Sequence, residues 1–394
     1  MNIKSYAAVT ASYWGFTLTD GALRMLVLLH FHTLGYSPVS LAFLFLLYEF
    51  CGVLTNLLGG WIGSRVGLKS TLFAGLTLQV VALLMLSLMD PSWAAAWSVT
   101  YVMTSQALSG IAKDLTKMSS KSAVKLLVHQ GTLFRWVALL TGSKNALKGV
   151  GFLLGGLLLS WLSFSQALWC MAGALGMVLM AAVVFLKQDM GKSKRKVKFT
   201  QLFSKSREIN WLSAARFFLF ASRDVWFVVA LPVFLKSSLD WSFNQVGALM
   251  AAWVVGYGIV QASAPKFIQA KHPGSSALRW VGLLTLTTTA LAAAVQIELY
   301  PIVSLLTGLA IFGVIFAVNS AVHSYLILSF TSHDDVAINV GFYYMANAWG
   351  RLVGTLLSGV MFLVGGLPAC LWTSAGMLVA AGLCTLPLRR QDPE

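Results

Sequence analysis

Charged residues are scarce: Asp, Glu, Lys and Arg make up 10% of the 394 residues, against 58% hydrophobic ones. So small a polar inventory cannot coat a water-soluble globule of this length, and the mean hydropathy of +0.77 places the chain in a bilayer. Acidic residues are the scarcer sign, 13 against 28 Lys and Arg. The basic residues lie between apolar stretches and form no hydrophilic stripe, so the formal charge of +15 reads as membrane topology and excludes nucleic-acid binding. Only four cysteines are present, Cys51, Cys170, Cys370 and Cys384, each alone in apolar sequence. That pattern excludes a disulfide scaffold and a thiolate metal site, and neither a metal nor a cofactor is expected. The opening MNIKSYAAVTASYWGFTLTDGALRML has no short apolar core followed by small residues, as a cleaved signal would; it reads as a first span.

A spanning helix takes ~20 apolar residues. Hydrophobic windows predict twelve, near 7–32, 39–62, 71–89, 93–111, 136–160, 166–186, 211–235, 244–265, 279–298, 302–328, 337–363 and 368–388. With both termini in the cytoplasm, nearly all Lys and Arg of the loops fall inside and the outer loops keep only Lys236, as the positive-inside rule requires. The lysines at 113, 117, 121 and 125 recur every four residues and predict a basic helical stripe at the cytoplasmic surface, attracted to acidic lipid or guiding an anion.

The longest polar stretch, from Lys187 to Asn210, divides the segments into two groups of six. The expected organisation is a six-helix half over 1–186, a basic cytoplasmic linker over 187–210 and a second six-helix half over 211–394. Two short recurrences support it: LGYS at Leu34 returns as LDWS at Leu239, and NALKGVGFLLGG at Asn145 returns as NAWGRLVGTLLSG at Asn347. The fold class predicted is an all-α membrane protein of two pseudo-symmetric six-helix halves.

The loop GGWIGSRVGLKSTL resembles the major facilitator loop motif at Gly60, Arg65, Gly67, Lys69 and Leu72. Ser64 stands where that pattern has an aspartate and Leu68 where it has a second arginine, which puts the usual charge lock between helix ends in doubt.

Charges inside spans cost about 2.5–3.5 kcal/mol each, and this chain carries several. Segment one has Asp20 and Arg24, segment two Glu49, segment five Lys144 and Lys148, segment seven Arg216, Arg223 and Asp224, and segment eleven Arg351. Asp20 with Arg24, Lys144 with Lys148, and Asn347 with Arg351 are four apart and share helix faces. Six cations meet three carboxylates, so full internal pairing still leaves positive charge for an anionic small molecule. Arginine's planar fork suits a tetrahedral oxyanion and lysine adds a mobile point charge. The expected substrate residues are Arg24, Lys144, Asn145, Lys148, Arg216, Arg223, Asn347 and Arg351, with one oxyanion between Arg24 and Arg223 and a second on Lys144, Lys148 and Arg351. Against this stands simple structural pairing, Asp20 with Arg24 and Asp224 with Arg223. Asp20, Glu49 and Asp224 are candidates for proton coupling, Glu49 as an acid without an evident partner. Tyr13, Trp14 and Tyr48 read as packing or cavity lining, and His30, His32 and His323 as packing or hydrogen-bonded histidines. No catalytic cluster is evident, so a transporter and not an enzyme is expected.

The stretches YWGFTLTDGALRMLVLLHFH, ALSGIAKDLTKMSSKSAVKL, GSKNALKGVGF and SAARFFLFASRDVWFVVALPVFL resemble those of the organoarsenical efflux permeases, the ArsJ type of major facilitator, and the resemblance runs through nearly the whole chain. It implies export of 1-arseno-3-phosphoglycerate across a bacterial inner membrane by alternating access, conferring arsenate resistance. A glyceraldehyde-3-phosphate dehydrogenase that makes the ester is then the functional partner, and a monomer the expected state. A permease for another organophosphate or carboxylate anion, working as an exporter or an importer, predicts the same cationic residues. Uniport and proton antiport both fit the sequence.

Overall fold

A computed structural model of the protein describes residues 3–90, 92–127, 133–186, 206–264, 273–330 and 336–389, and of these the side chains at 3–4, 57, 59–66, 121–127, 133–142, 273, 328, 336–338 and 389 are not described. The stretch 187–205, most of the expected linker, lies outside the described residues, as do Lys266, Lys271 and Arg390. All regular structure among the described residues is helical. The helices are α1 (Ile3–Thr33), α2 (Pro38–Leu44), α3 (Leu46–Val66), α4 (Leu68–Ser87), α5 (Ala95–Leu127), α6 (Leu133–Trp161), α7 (Phe164–Phe185), α8 (Arg207–Phe227), α9 (Ala230–Ser237), α10 (Phe243–Ser263), α11 (Pro273–Gln296), α12 (Pro301–Ser329) and α13 (Val336–Arg389).

These map onto the twelve predicted segments once three interruptions are recognised. The second segment is α2 continued by α3. The seventh is α8 continued by α9, broken at Val228–Val229: Pro232 lacks an N–H and its ring collides with the carbonyl one turn back. The N–H groups of Val229 and Ala230 freed there donate to Ser358 Oγ at 3.2 and 3.0 Å. The last two segments form α13, which leaves helical geometry at Gly365 and Gly366. Among the described residues, eight helical stretches are long and apolar enough to cross a bilayer, one of them the 50-residue Asn339–Leu388 that holds two spans. α1, α5 and α6 have the length, at 31, 33 and 29 residues, but carry the polar side chains described below. α5 also runs sixteen residues past its predicted end, so the basic stretch continues the span as one helix.

The chain forms two compact units. The first is Met1–Leu34, Phe43–Lys198 and Trp241–Val255; the second is Gly35–Ala42, Phe199–Asp240 and Gly256–Glu394.

In the first unit, α6 packs on α1 through glycine. A Cβ on Gly151 would stand 2.5 Å from the Leu18 carbonyl, and one on Gly21 would stand 2.6 Å from that of Lys148. Gly156 meets the carbonyl of Phe243, at the start of α10, at the same 2.5 Å. α5 lies as close to α3, through Gly110 on the Tyr48 carbonyl.

The second unit repeats the plan. Gly354 of α13 packs on Ala221 of α8, where a Cβ would stand 2.8 Å from the carbonyl, and Gly359 packs on Pro38 at the start of α2. The LGYS and LDWS recurrences share a positive-φ second residue, Gly35 at φ +84 and Asp240 at φ +53, and a serine two residues later that caps a helix. Ser37 Oγ accepts from Ser40 N–H at 3.2 Å, and Ser242 Oγ from Gln245 N–H at 3.3 Å, satisfying first-turn donors. Both sequence repeats are therefore structural repeats. In the loop before α5, Asp90 accepts from the Ser92 N–H at 2.8 Å, which holds its carboxyl below the ordinary value.

Candidate functional site

Each unit gathers charge on the helix that opens it and the helix packed there through glycine. In the first unit Arg24 is buried and its Nη2 contacts Glu49 Oε1 at 2.5 Å. Glu49 is therefore partnered, which corrects the reading of it as an acid standing alone, and Arg24 does not pair with Asp20 one turn away. Asp20 instead accepts from the Tyr48 hydroxyl at 2.5 Å and lies 3.8 Å from Lys148 Nζ. The helical face of α1 was legible, but its partners come from α3 and α6, which intra-helix spacing does not reveal. Lys144 and Asn145 lie half-buried on α6.

Two residues join this cluster that the sequence reading placed at the cytoplasmic surface. Lys113 Nζ sits 4.0 Å from the centroid of the Tyr48 ring, whose centroid also lies 5.2 Å from the Arg24 guanidinium. Lys117 Nζ donates to Asn56 Oδ1 at 2.7 Å and pairs with the buried Asp114 at 2.9 Å. The Asp114 carboxylate also accepts from Thr55 at 2.7 Å and Asn56 at 3.3 Å. The first two lysines of the supposed surface stripe thus point into the unit; Lys121 and Lys125 side chains lie outside the described residues. This Asp114 knot ties α5 to α3 by charge in a chain whose loop motif has Ser64 for aspartate. The available signal was the acid inside the lysine run, three residues before Lys117 and so on its face of the helix.

The second unit centres on Asp224, fully buried. Arg223 Nε donates to its Oδ1 at 2.6 Å, and Arg351 Nε to its Oδ2 at 3.2 Å. The Arg223–Asp224 pair that stood as the structural alternative is present, but the carboxylate is shared with Arg351. Arg351 to Asp224 repeats Lys148 to Asp20: a cation of the fifth helix of each set on an aspartate of the first. Asn347 lies buried one turn before Arg351. Arg216, 4% exposed, donates through Nη1 to the carbonyl and hydroxyl oxygens of Ser320 at 3.1 and 3.0 Å. Its guanidinium lies 4.1 Å from the Phe220 centroid and 5.1 Å from that of Tyr343.

The remaining candidates divide. His30 stacks on Phe164 at 4.0 Å, a packing role, and Trp14 donates to Ser143 Oγ at 2.8 Å. Tyr13 is buried, and so is His323, on α12. Among the described residues no group of His, Cys, Asp and Glu is arranged to hold a metal. Two apolar clefts, one of about 410 Å³ between α11 and α12 and one of about 560 Å³ lined by Met85, Trp93, Trp97 and Tyr101, touch none of the charged residues.

The residues above are side chains that hold charge inside each unit. Comparison with curated proteins finds no match. Among solved structures, a bacterial homologue of the iron transporter ferroportin in its inward-facing state superposes with a TM-score of 0.73 at 15% identity, covering 98% of this chain and 99% of that one. A point mutant of the nucleoside transporter NupG gives 0.76 at 14% identity, with 98% and 99% covered. At such identities the likeness is one of fold. The family model described as Major Facilitator Superfamily matches residues 6–231 and again 212–394, and the chain therefore belongs to the major facilitator superfamily, as a multi-pass membrane transporter and not an enzyme.

Proposed function

We propose that the protein is a secondary transporter that exports an organic oxyanion by alternating access, and that its cargo is 1-arseno-3-phosphoglycerate, the resemblance to organoarsenical efflux permeases supplying the identity of the ester. The observation that carries the anionic reading is that Asp224 serves two guanidinium groups at once, Arg223 and Arg351. A single carboxylate neutralises one of them. The trio of two guanidinium groups and one carboxylate is net positive, and an incoming oxyanion is drawn to it.

In the first unit Glu49 lies on Arg24 and Asp20 near Lys148, with Lys113 added above the Tyr48 ring and Lys144 half-buried on α6. There a substrate oxyanion has to compete with Glu49 for Arg24. That competition gives Glu49 a physical route to proton coupling: protonation of the carboxylate releases the arginine to the substrate. Arg24, Lys144, Asn145, Lys148, Arg216, Arg223, Asn347 and Arg351 are the substrate residues in this reading, and Asp20, Glu49 and Asp224 the carboxylates that exchange partners. Each negative charge leaving a cell with an interior-negative potential gains ~2.3 kcal/mol per 100 mV, so export needs little additional coupling. The reading places the protein in a bacterial inner membrane with both termini cytoplasmic.

The test is in cells that express a glyceraldehyde-3-phosphate dehydrogenase with or without this protein and are given arsenate. Organic arsenic is expected in the medium only when both are present. Ester that accumulates inside the cells regardless of the transporter contradicts the cargo assignment.

A further inference from the structure

The second unit holds a patch of buried polar groups that neither the ion pairs nor the sequence motifs account for. On α12, Asn319 and His323 are 0% and 1% exposed, and among the described residues neither the Asn319 amide nor either ring nitrogen of His323 has a hydrogen-bond partner. They are four apart and share one face. Phe312 and Phe316 continue that face and pack on α8, against Trp226 and Phe220 at centroid separations of 5.1 and 5.3 Å, so the stripe is turned toward α8. From α8, Arg216 answers it. Its Nη1 is held by Ser320, it interacts electrostatically with His323, and its Nε is buried without a partner. Among the described residues no carboxylate pairs with Arg216. Tyr257 extends the patch from α10, its hydroxyl 3.3 Å from Ser320 Oγ.

Buried polar groups in proteins are almost always satisfied, and an unsatisfied one calls for a ligand or a role. Here three such groups are the N–H of a guanidinium, an amide with two N–H bonds, and an imidazole that carries an N–H on one nitrogen in its neutral form. A ligand offering acceptors satisfies the donors of all three together, a hydroxyl on it can donate to Asn319 Oδ1 or the second imidazole nitrogen, and the charge on Arg216 requires it to be an anion. A cation is excluded by the same guanidinium.

We propose that Arg216, Asn319 and His323, braced by Ser320 and Tyr257, form a second oxyanion subsite, separate from the Arg223–Asp224–Arg351 cluster, which takes the far end of a two-headed anionic substrate. The inference rests on the oxyanion reading above and deepens it. The spacing fits: the Arg216 and Arg223 guanidinium carbons lie 4.1 and 4.9 Å from the centroid of the same Phe220 ring, so less than about 9 Å separates them. A three-carbon chain with an oxyanion at each end reaches across such a gap. Specificity for two-headed over one-headed anions then resides in residues of α12 that carry no charge of their own.

The experiment titrates purified full-length protein in lipid nanodiscs with 3-phosphoglycerate, which has a phosphate and a carboxylate end, and with inorganic phosphate, while following ligand-free thermal unfolding. Wild type is expected to bind 3-phosphoglycerate about tenfold or more tightly than phosphate, and Arg216→Gln to weaken 3-phosphoglycerate about a hundredfold. Asn319→Leu and His323→Gln are expected to erase the preference for the two-headed probe. Asn319→Leu should at the same time unfold at an equal or higher temperature, since an unsatisfied amide gives way to an apolar group of similar size. The two α12 variants decide the matter where Arg216→Gln fails to fold. Wild-type affinity and preference in both overturns the subsite. Binding that survives them but is lost in Arg223→Gln overturns the subsite alone, whereas a wild type that binds neither probe overturns the oxyanion reading with it.

Discussion

Asp224 is the most consequential single side chain in this account, because two arginines depend on it. Replacing it by asparagine removes the buried carboxylate that both share, so Asp224→Asn is expected to cost about 3–5 kcal/mol of stability. Saturating 3-phosphoglycerate should restore much of the loss in thermal unfolding. Glu49→Gln should destabilise the first unit by a similar amount through Arg24, whereas Asp90→Asn, on an exposed loop carboxylate, should leave the unfolding temperature as in wild type. Arg24→Ala and Arg223→Ala are expected to abolish transport while the protein still inserts, read as substrate accumulation against membrane-inserted protein by immunoblot. At this scale the sequence was legible in part. Cations inside apolar windows stand out because insertion makes them expensive, but which carboxylate answers which arginine depends on neighbouring helices. Hence Glu49 looked solitary, Asp20 was the one partner in view for Arg24 on its own helix, and Lys113 and Lys117 looked like surface residues. The buried amide of Asn319 gives no signal in sequence at all, since a lone asparagine in a span reads equally well as packing.

Helices of this protein meet where glycine lets them. Gly151 and Gly354 occupy matching places in the two halves of the repeat, and each brings a charged helix against the one that holds its aspartate. A leucine at Gly354 would collide with the Ala221 carbonyl and Asp224 Cβ, which stand 2.8 and 2.9 Å from a Cβ there. Gly354→Leu is expected to remove the monodisperse peak in size-exclusion chromatography, a cost beyond the about 1–3 kcal/mol of ordinary overpacking because the obstacle is backbone. Gly176→Ala, with nothing within 4 Å, should elute as wild type. Span positions were readable from hydropathy because bilayer thickness fixes their length. The break between α8 and α9 could be anticipated from Pro232, while that between α2 and α3, at Phe45, has no proline or glycine to announce it.

Over the whole molecule the repeat governs the plan. Each unit takes in the opening turns of a helix from the other end of the repeat, Trp241–Val255 in the first and Gly35–Ala42 in the second, and the contacts that seat them, Gly156 on Phe243 and Gly359 on Pro38, are counterparts. The recurrences at LGYS and at NALKG were the visible trace of this plan; the exchange itself was not visible, since four-residue matches carry no packing information. The expected topology is checked by single cysteines in a cysteine-free background. Ser92→Cys and Glu298→Cys should react with a membrane-impermeant maleimide in intact cells, and Ser206→Cys only after permeabilisation. The central claim, that the charged interior serves an anionic ester, is tested most directly in everted membrane vesicles given enzymatically made 1-arseno-3-phosphoglycerate or inorganic arsenate, with and without a pH gradient. The account predicts protein-dependent accumulation of the ester and none of arsenate; accumulation of arsenate without the ester would contradict it.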